Sequence, residues 1–144
     1  MPTFRVVRAS SLPAHEAWRR VTHWPSHGGR VPLTSVTMEP PEPTRLGTVV
    51  VAHTGVGGFG FDDRMEVVHW TPPRDDHPGV CRLEKRGTVV LGWAEIEVHP
   101  RGDRSIVVWR EEVRVAKLPR LFSMPLAWAG RLVFARLLAA VLAQ

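Results

Sequence analysis

The segment Ser105–Val115 carries a carboxylate among apolar residues, and it is the part of the chain with the clearest potential for chemistry. Strand alternation divides this segment into two faces. The more apolar face, predicted to point inward, carries Val107, Trp109, Glu111, Val113 and Val115. Burial in an apolar wall raises the pKa of a carboxyl group unless a positive group pairs with it. Glu111 is therefore a candidate to orient a ligand hydroxyl or to transfer a proton; alternatively, it reaches a rim or pairs with a neighbouring arginine.

His53 is the second candidate for acid–base chemistry. It lies in the segment Gly47–Thr54, which is apolar on both faces, and we predict that Val51 and His53 point inward. The other histidines form no metal motif, because Pro25 separates His23 from His27 and no helix can hold both on one face. The single cysteine has no adjacent histidine and is predicted to be a small buried apolar residue. We predict no metal and no cofactor.

The glycine-rich run Val56–Phe61 is not a phosphate-binding loop. It lacks the Lys-Ser/Thr ending and does not open a helix. Its glycines suit a flexible loop or a bulge, with Phe59 and Phe61 as apolar plugs. Two interpretations stay open, a lid over a cavity mouth and a plain hairpin connection. The following pair, Asp62 and Asp63, is interpreted as turn residues.

Length and composition limit the classes of protein to which the chain could belong. The 144 residues, 44% hydrophobic and 23% charged, predict one globular domain over residues 1–144. A single cysteine and the lack of a signal-like N-terminus favour the cytoplasm. The net charge is +5, but the arginines are scattered along strands without a nucleic-acid-binding motif, so we predict no nucleic acid partner.

The last segment, Leu121–Gln144, is a long helix with almost no polar face. Its longest uncharged run, Leu121–Gly130, is too short to span a bilayer and contains Pro125. We predict no stable membrane insertion and a helix that is covered on more than one side.

The remaining chain is predicted to be a strand, a short helix and a six-stranded meander. The first strand is Phe4–Ala9; Ser10 or Ser11 caps a helix at Ala14–Val21, and one further helical turn follows Pro25. Short turns between the later strands indicate antiparallel pairing. Those strands are Leu33–Glu39, Gly47–Thr54, Asp62–Thr71, Val80–Arg86, Val89–His99 and Ser105–Val115.

This order of elements resembles the SRPBCC or START-like superfamily, which includes polyketide cyclase/dehydrase-like proteins. The segments that carry the resemblance are Ser11–Trp24, Arg64–Pro73, Gly102–Val113 and the apolar C-terminal helix. The resemblance implies an α+β helix-grip fold, in which a seven-stranded curved antiparallel sheet grips the long C-terminal helix and two short helices follow strand 1. It also implies an apolar cavity between sheet and helix.

Alternation then predicts which side chains line that cavity. They are Val51, His53, Phe59, Phe61, Met65, Val67, Leu83, Ala94, Ile96, Trp109 and Glu111 from the sheet, and Met124, Trp128 and Leu132 from the helix. The alternative is that these residues form a solid core. A register error of one residue would reverse any strand's assignment.

Three functions stay open. The first is a carrier, sensor or sequestering protein for a small hydrophobic or aromatic ligand. The second, implied by the resemblance, is a polyketide cyclase, aromatase or dehydratase. The third is an interaction module or homodimer without ligand. A wholly apolar cavity would favour a binder, an enclosed polar pair would favour an enzyme, and a filled interior with an exposed apolar patch would favour the module.

Overall fold

The computed structural model describes residues 3–28, 33–41, 43–56, 59–88, 90–115 and 123–143, and the side chains of residues 56, 59, 115, 123–128 and 130 are not described. Its elements in chain order are β1 (Thr3–Ser10), α1 (Ala14–Val21), α2 (Pro25–Gly28), β2 (Thr34–Glu39), β3 (Val49–Val56), β4 (Phe59–Thr71), β5 (Gly79–Lys85), β6 (Val90–Arg101), β7 (Arg104–Val115) and α3 (Ser123–Leu142).

The seven strands form one antiparallel sheet in the order β1-β7-β6-β5-β4-β3-β2. Strands β2 to β7 are therefore a meander, and β1 completes the sheet by pairing with the last strand. The predicted helix-grip architecture, with two short helices after the first strand and a long C-terminal helix, is confirmed.

The α1 helix closes one end of the core. Ala17, Trp18 and Val21 are buried on one face, and Trp18 packs on Trp70 with ring centroids 4.9 Å apart. The predicted serine cap is wrong, because Pro13 is the N-cap and its carbonyl accepts the first helical hydrogen bonds. Proline fixes its own φ and thereby sets the start of the helix without a side-chain cap.

Two irregularities shape the sheet. The pairing of β4 with β5 shifts between Val67 and His69, so that Trp70 also packs against the core. On β6, Gly92 has a φ of +127°, and a Cβ atom there would lie 1.9 Å from the carbonyl oxygen of Glu112. Only glycine allows β6 and β7 to approach so closely at this point.

The glycine-rich run belongs to a hairpin. Strands β3 and β4 continue into it, with Gly55 paired to Gly60 and Val56 to Phe59. The described residues therefore form the two arms of a hairpin, and a lid over the cavity mouth stays a prediction. Gly57 and Gly58 lie outside them.

Candidate functional site

A cavity of about 410 Å³ lies between the inner face of the sheet and α3. Most of the side chains that line it are apolar. They are Trp24, His27, Thr34, Val36, Val50, Ala52, Thr54, Phe61, Asp63, Met65, Leu83, Lys85, Val90, Ala94, Trp109, Glu111, Val113, Ala129, Val133 and Phe134. Phe61 and Ala129 are exposed and also line the cavity, so they mark its rim.

Aromatic rings form a continuous run along the cavity. Trp109 on β7 stacks on Phe134 of α3 with centroids 4.7 Å apart. His27 lies 5.8 Å from Trp109 and 5.4 Å from Trp24, measured between ring centroids. The Trp24 indole N–H donates to the Thr44 hydroxyl at 2.9 Å, which fixes that ring. Rings held in this way offer flat apolar surface with specific geometry.

Three charged side chains meet on the sheet wall of the cavity. The Lys85 ammonium lies 2.5 Å from Asp63 Oδ2 and 3.3 Å from Glu111 Oε2. The Trp109 indole N–H donates to Glu111 Oε1 at 3.1 Å. We call Asp63, Lys85 and Glu111 the charged cluster.

Burial and charge act in opposite directions within the charged cluster. Burial raises the pKa of Glu111 above its ordinary value, although the Lys85 charge and the Trp109 N–H oppose the shift. Burial also disfavours the ammonium, but the charges of Glu111 and Asp63 outweigh it and hold the pKa of Lys85 above its ordinary value. Lys85 therefore remains a cation inside an apolar wall.

His27 is the other titratable group at the cavity. Burial lowers its pKa to about 4, so the ring is neutral at pH 7. Its Nε2 lies 2.9 Å from the carbonyl oxygen of Val21. Because a carbonyl only accepts, Nε2 must carry the hydrogen and donate it, which leaves Nδ1 as an acceptor.

Six of the residues predicted to bind ligand line the cavity together. They are Phe61, Met65, Leu83, Ala94, Trp109 and Glu111. Val67 and Ile96 face the interior as predicted but are fully buried in the hydrophobic core and do not line the cavity. The side chains of Phe59, Met124 and Trp128 lie outside the described residues.

The inward orientation predicted for Val51 and His53 is wrong. Val50, Ala52 and Thr54 line the cavity instead, so the two faces of β3 are the reverse of the prediction. His53 is 59% exposed and its Nδ1 pairs with Asp62 Oδ1 at 2.5 Å on the outer face. The error has a physical reason, since both faces of β3 are apolar and alternation gives no signal there.

Leu132 is a second error of orientation. It is 42% exposed, whereas Ala129, Val133 and Phe134 of the same helix line the cavity. The helix is apolar almost all round, and its sequence therefore contains little information about which side faces the sheet.

The sequence prediction misses Asp63 and Lys85, although a signal for both is present. Phe61, Met65 and Leu83 are predicted to face inward. Asp63 alternates with Phe61 and Met65 on the same face of its strand, and Lys85 lies on the same face as Leu83. The interpretation of Asp63 as a turn residue is wrong, and it arises because Asp is frequent in turns. Cys81 is buried as predicted, and burial raises the pKa of its thiol to about 12, so it is unreactive.

Within the described ranges, no group of three or more His, Cys, Asp or Glu side chains is arranged to hold a metal ion. The described helices include none that is both long enough and apolar enough to cross a membrane.

Comparisons with known proteins identify the fold. No protein-family model matches the sequence, and no curated protein matches it. Among solved structures, a START superfamily protein from Mycobacterium smegmatis is 13% identical, with 99% of this chain and 97% of that chain covered and a TM-score of 0.69. The Zhui aromatase/cyclase from Streptomyces sp. R1128 is 13% identical over 96% and 92% of the two chains, with a TM-score of 0.58.

A point mutant of norcoclaurine synthase from Thalictrum, solved with a transition-state analogue, is 18% identical over 97% of this chain and 93% of that chain, with a TM-score of 0.60. The chain therefore has a START-like helix-grip fold, as the family resemblance implied. At these identities the likeness shows the fold alone, and one fold can carry many functions.

Proposed function

We propose that the single domain predicted for residues 1–144 binds a small hydrophobic or aromatic molecule in the cavity between the sheet and α3, as a carrier, a sensor or a sequestering protein. The observation that carries this proposal is the cavity itself. Its volume of about 410 Å³ falls in the range of about 300–1,000 Å³ typical of small-molecule sites. Its lining is mostly apolar, with a few polar groups that could fix the orientation of a ligand.

The aromatic run supports an aromatic ligand in particular. Trp24, Trp109 and Phe134 present ring surfaces to one space, and offset or edge-to-face contacts with a ligand ring add to the free energy of apolar burial. Two of these rings are held by neighbours, Trp24 by Thr44 and Trp109 by Glu111. Held rings lose little freedom on binding.

A second candidate is an enzyme of the cyclase, aromatase or dehydratase type. The charged cluster favours it, because an enclosed group of ionisable side chains with shifted pKa values is a common feature of active sites. The interaction module is supported less, since it requires a filled interior. A homodimer and a cytoplasmic location remain predictions.

The proposal is tested with the neutral fluorophore N-phenyl-1-naphthylamine, whose emission rises in apolar surroundings. Two adjacent positions on β3 provide a matched pair of variants. Ala52 lines the cavity, whereas His53 is exposed on the opposite face. We expect Ala52→Phe to weaken binding of the fluorophore about tenfold, or about 1.4 kcal/mol, because the added ring occupies ligand space. We expect His53→Phe to bind like the wild type.

Equal affinities for the two variants would show that the fluorophore binds elsewhere. The binding proposal fails if the wild type neither binds this fluorophore nor retains any small molecule in native mass spectrometry. Ligands recovered unchanged after incubation with the protein support a carrier or sensor. Chemical conversion of the ligand would instead support the enzyme.

A further inference from the structure

The charged cluster determines which hydrogen-bonding groups the cavity can offer to a ligand. An ammonium has three donors. The Lys85 ammonium donates to Asp63 Oδ2 (2.5 Å) and Met65 Sδ (3.7 Å), and it forms an ion pair with Glu111 Oε2 at 3.3 Å. The Lys85 side chain is also only 1% exposed. Lys85 is therefore engaged within the charged cluster and shielded from a ligand.

Both carboxylate oxygens of Glu111 also have partners within the protein. One carboxylate oxygen accepts the Trp109 indole N–H and the other faces Lys85, and the Glu111 side chain is 5% exposed. The indole has only one N–H, so Trp109 offers a ligand its ring and no donor.

Asp63 is the member of the charged cluster that can still accept a hydrogen bond. Its side chain is 16% exposed, the largest value of the three, and it lines the cavity. Its Oδ1 is shielded from solvent and accepts no hydrogen bond within the described part of the chain. A buried carboxylate oxygen without a donor is unfavourable, so a ligand donor that met Oδ1 after a small rotation of the carboxylate would stabilise it.

His27 also lines the cavity and offers a ligand no donor. Its Nε2–H is used by the Val21 carbonyl, and Nδ1 is the acceptor of the neutral ring. The ionisable side chains that line the described cavity therefore favour a ligand that brings a donor, since two carboxylates accompany a single ammonium.

We propose that the cavity selects molecules with a hydrogen-bond donor, a hydroxyl or an amine, on an aromatic or alicyclic body, and that it rejects carboxylates. The donor binds Asp63, and the body lies against Trp109 and Phe134. This inference rests on the proposed ligand-binding function and specifies its ligand class.

A series of three bicyclic probes tests the selectivity on the wild-type protein by isothermal titration calorimetry at neutral pH. The probes are 2-naphthol, 2-methoxynaphthalene and 2-naphthoate, which differ only in the substituent. We expect 2-naphthol to bind roughly tenfold more tightly than the ether, the usual effect of one hydrogen bond to a charged group. We expect 2-naphthoate to bind most weakly, because its charge repels Asp63.

Asp63→Asn and Asp62→Asn form a matched pair of variants on one strand. In Asp63→Asn, the oxygen of the new side-chain amide would accept from Lys85 and its NH₂ group would replace Oδ1, so that the position becomes a donor. We expect Asp63→Asn to abolish the preference for 2-naphthol over the ether and to improve binding of 2-naphthoate. Asp62 is 52% exposed on the outer face, and we expect Asp62→Asn to keep the wild-type order.

Binding of 2-methoxynaphthalene at least as tight as in the wild type would show that Asp63→Asn keeps an intact cavity, because the new NH₂ group can donate to the ether oxygen. The wild-type series is decisive even if that variant does not fold. Equal binding of 2-naphthol and the ether by the wild type, or tightest binding of 2-naphthoate, overturns this inference while binding itself stands. If none of the three probes binds, the proposed function fails and the inference fails with it.

Discussion

At the scale of single residues, His27 links the cavity to the pH dependence of folding. Burial between Trp24 and Trp109 lowers its pKa to about 4, from an ordinary value of 6.5. The unfolded chain therefore takes up a proton below pH 6.5, whereas the folded chain resists it until about pH 4. The stabilisation from neutral His27 is fully present above pH 6.5 and is lost as the pH falls toward 4. It amounts to about 3 kcal/mol at about 1.36 kcal/mol per pKa unit.

We expect His27→Gln to flatten the loss of stability between about pH 6.5 and about pH 4, because glutamine keeps an N–H for the Val21 carbonyl and does not titrate. Urea denaturation at several pH values in this window measures the slope of the free energy of unfolding. A wild-type slope in His27→Gln would contradict the assignment.

Glu111 shows what the sequence can and cannot predict about the surroundings of a single side chain. Alternation along one strand is sufficient to predict that Glu111 is buried in an apolar face. It cannot identify the partner, which is Lys85, two strands away in the sheet rather than a neighbouring arginine. Contacts between strands depend on register and on the reach of a long side chain, and neither is contained in the sequence of one strand.

At the scale of elements, α3 is predictable as a helix, but its orientation is not. An apolar helix is readily recognised, whereas its rotation about its own axis requires a polar stripe, which this one lacks. The same ambiguity affects β3, which is apolar on both faces. Where one face is clearly more polar, as in β5, β6 and β7, most of the described residues predicted to face inward are buried, among them Leu83, Ala94 and Val107.

A pair of leucines on α3 tests its orientation. Leu137 is fully buried in the core, whereas Leu132 is 42% exposed. We expect Leu137→Ala to lower the free energy of unfolding by about 2–5 kcal/mol, because the lost side chain leaves a cavity in the core. We expect Leu132→Ala to change it by less than about 1 kcal/mol. Chemical denaturation measures both, and equal losses would mean that the helix is rotated.

At the scale of the whole molecule, the order of elements, together with the family resemblance that it carries, predicts the architecture. Short turns force neighbouring strands to pair antiparallel, and an apolar helix needs cover that only the sheet can provide. The order of elements does not predict the volume of the cavity or the identity of most of its polar lining residues. They depend on the curvature of the sheet and on close approaches such as that at Gly92, which arise from the packing of all the elements together.

The sheet order also predicts how local stability is distributed. Strands β6 and β7 are each paired on both sides, whereas β2 is an edge strand that pairs only with β3. We expect amide hydrogen exchange to be slowest in β6 and β7 and fastest, among the strands, in β2. Hydrogen exchange measured by NMR or mass spectrometry tests this order of exchange rates. Protection of β2 equal to that of β7 would contradict the edge assignment.

The pairing of β1 with β7 has a consequence for the growing polypeptide on the ribosome. Thr3 pairs with Glu112 and Ser10 with Ser105, so the first strand leaves the ribosome long before its partner has been translated. The α3 helix packs mainly on β1 and closes the cavity with residues made later still. Contacts between such distant segments form slowly. A nascent chain thus carries most of its sheet before the pocket is closed, and the cavity is complete only once α3 has been translated.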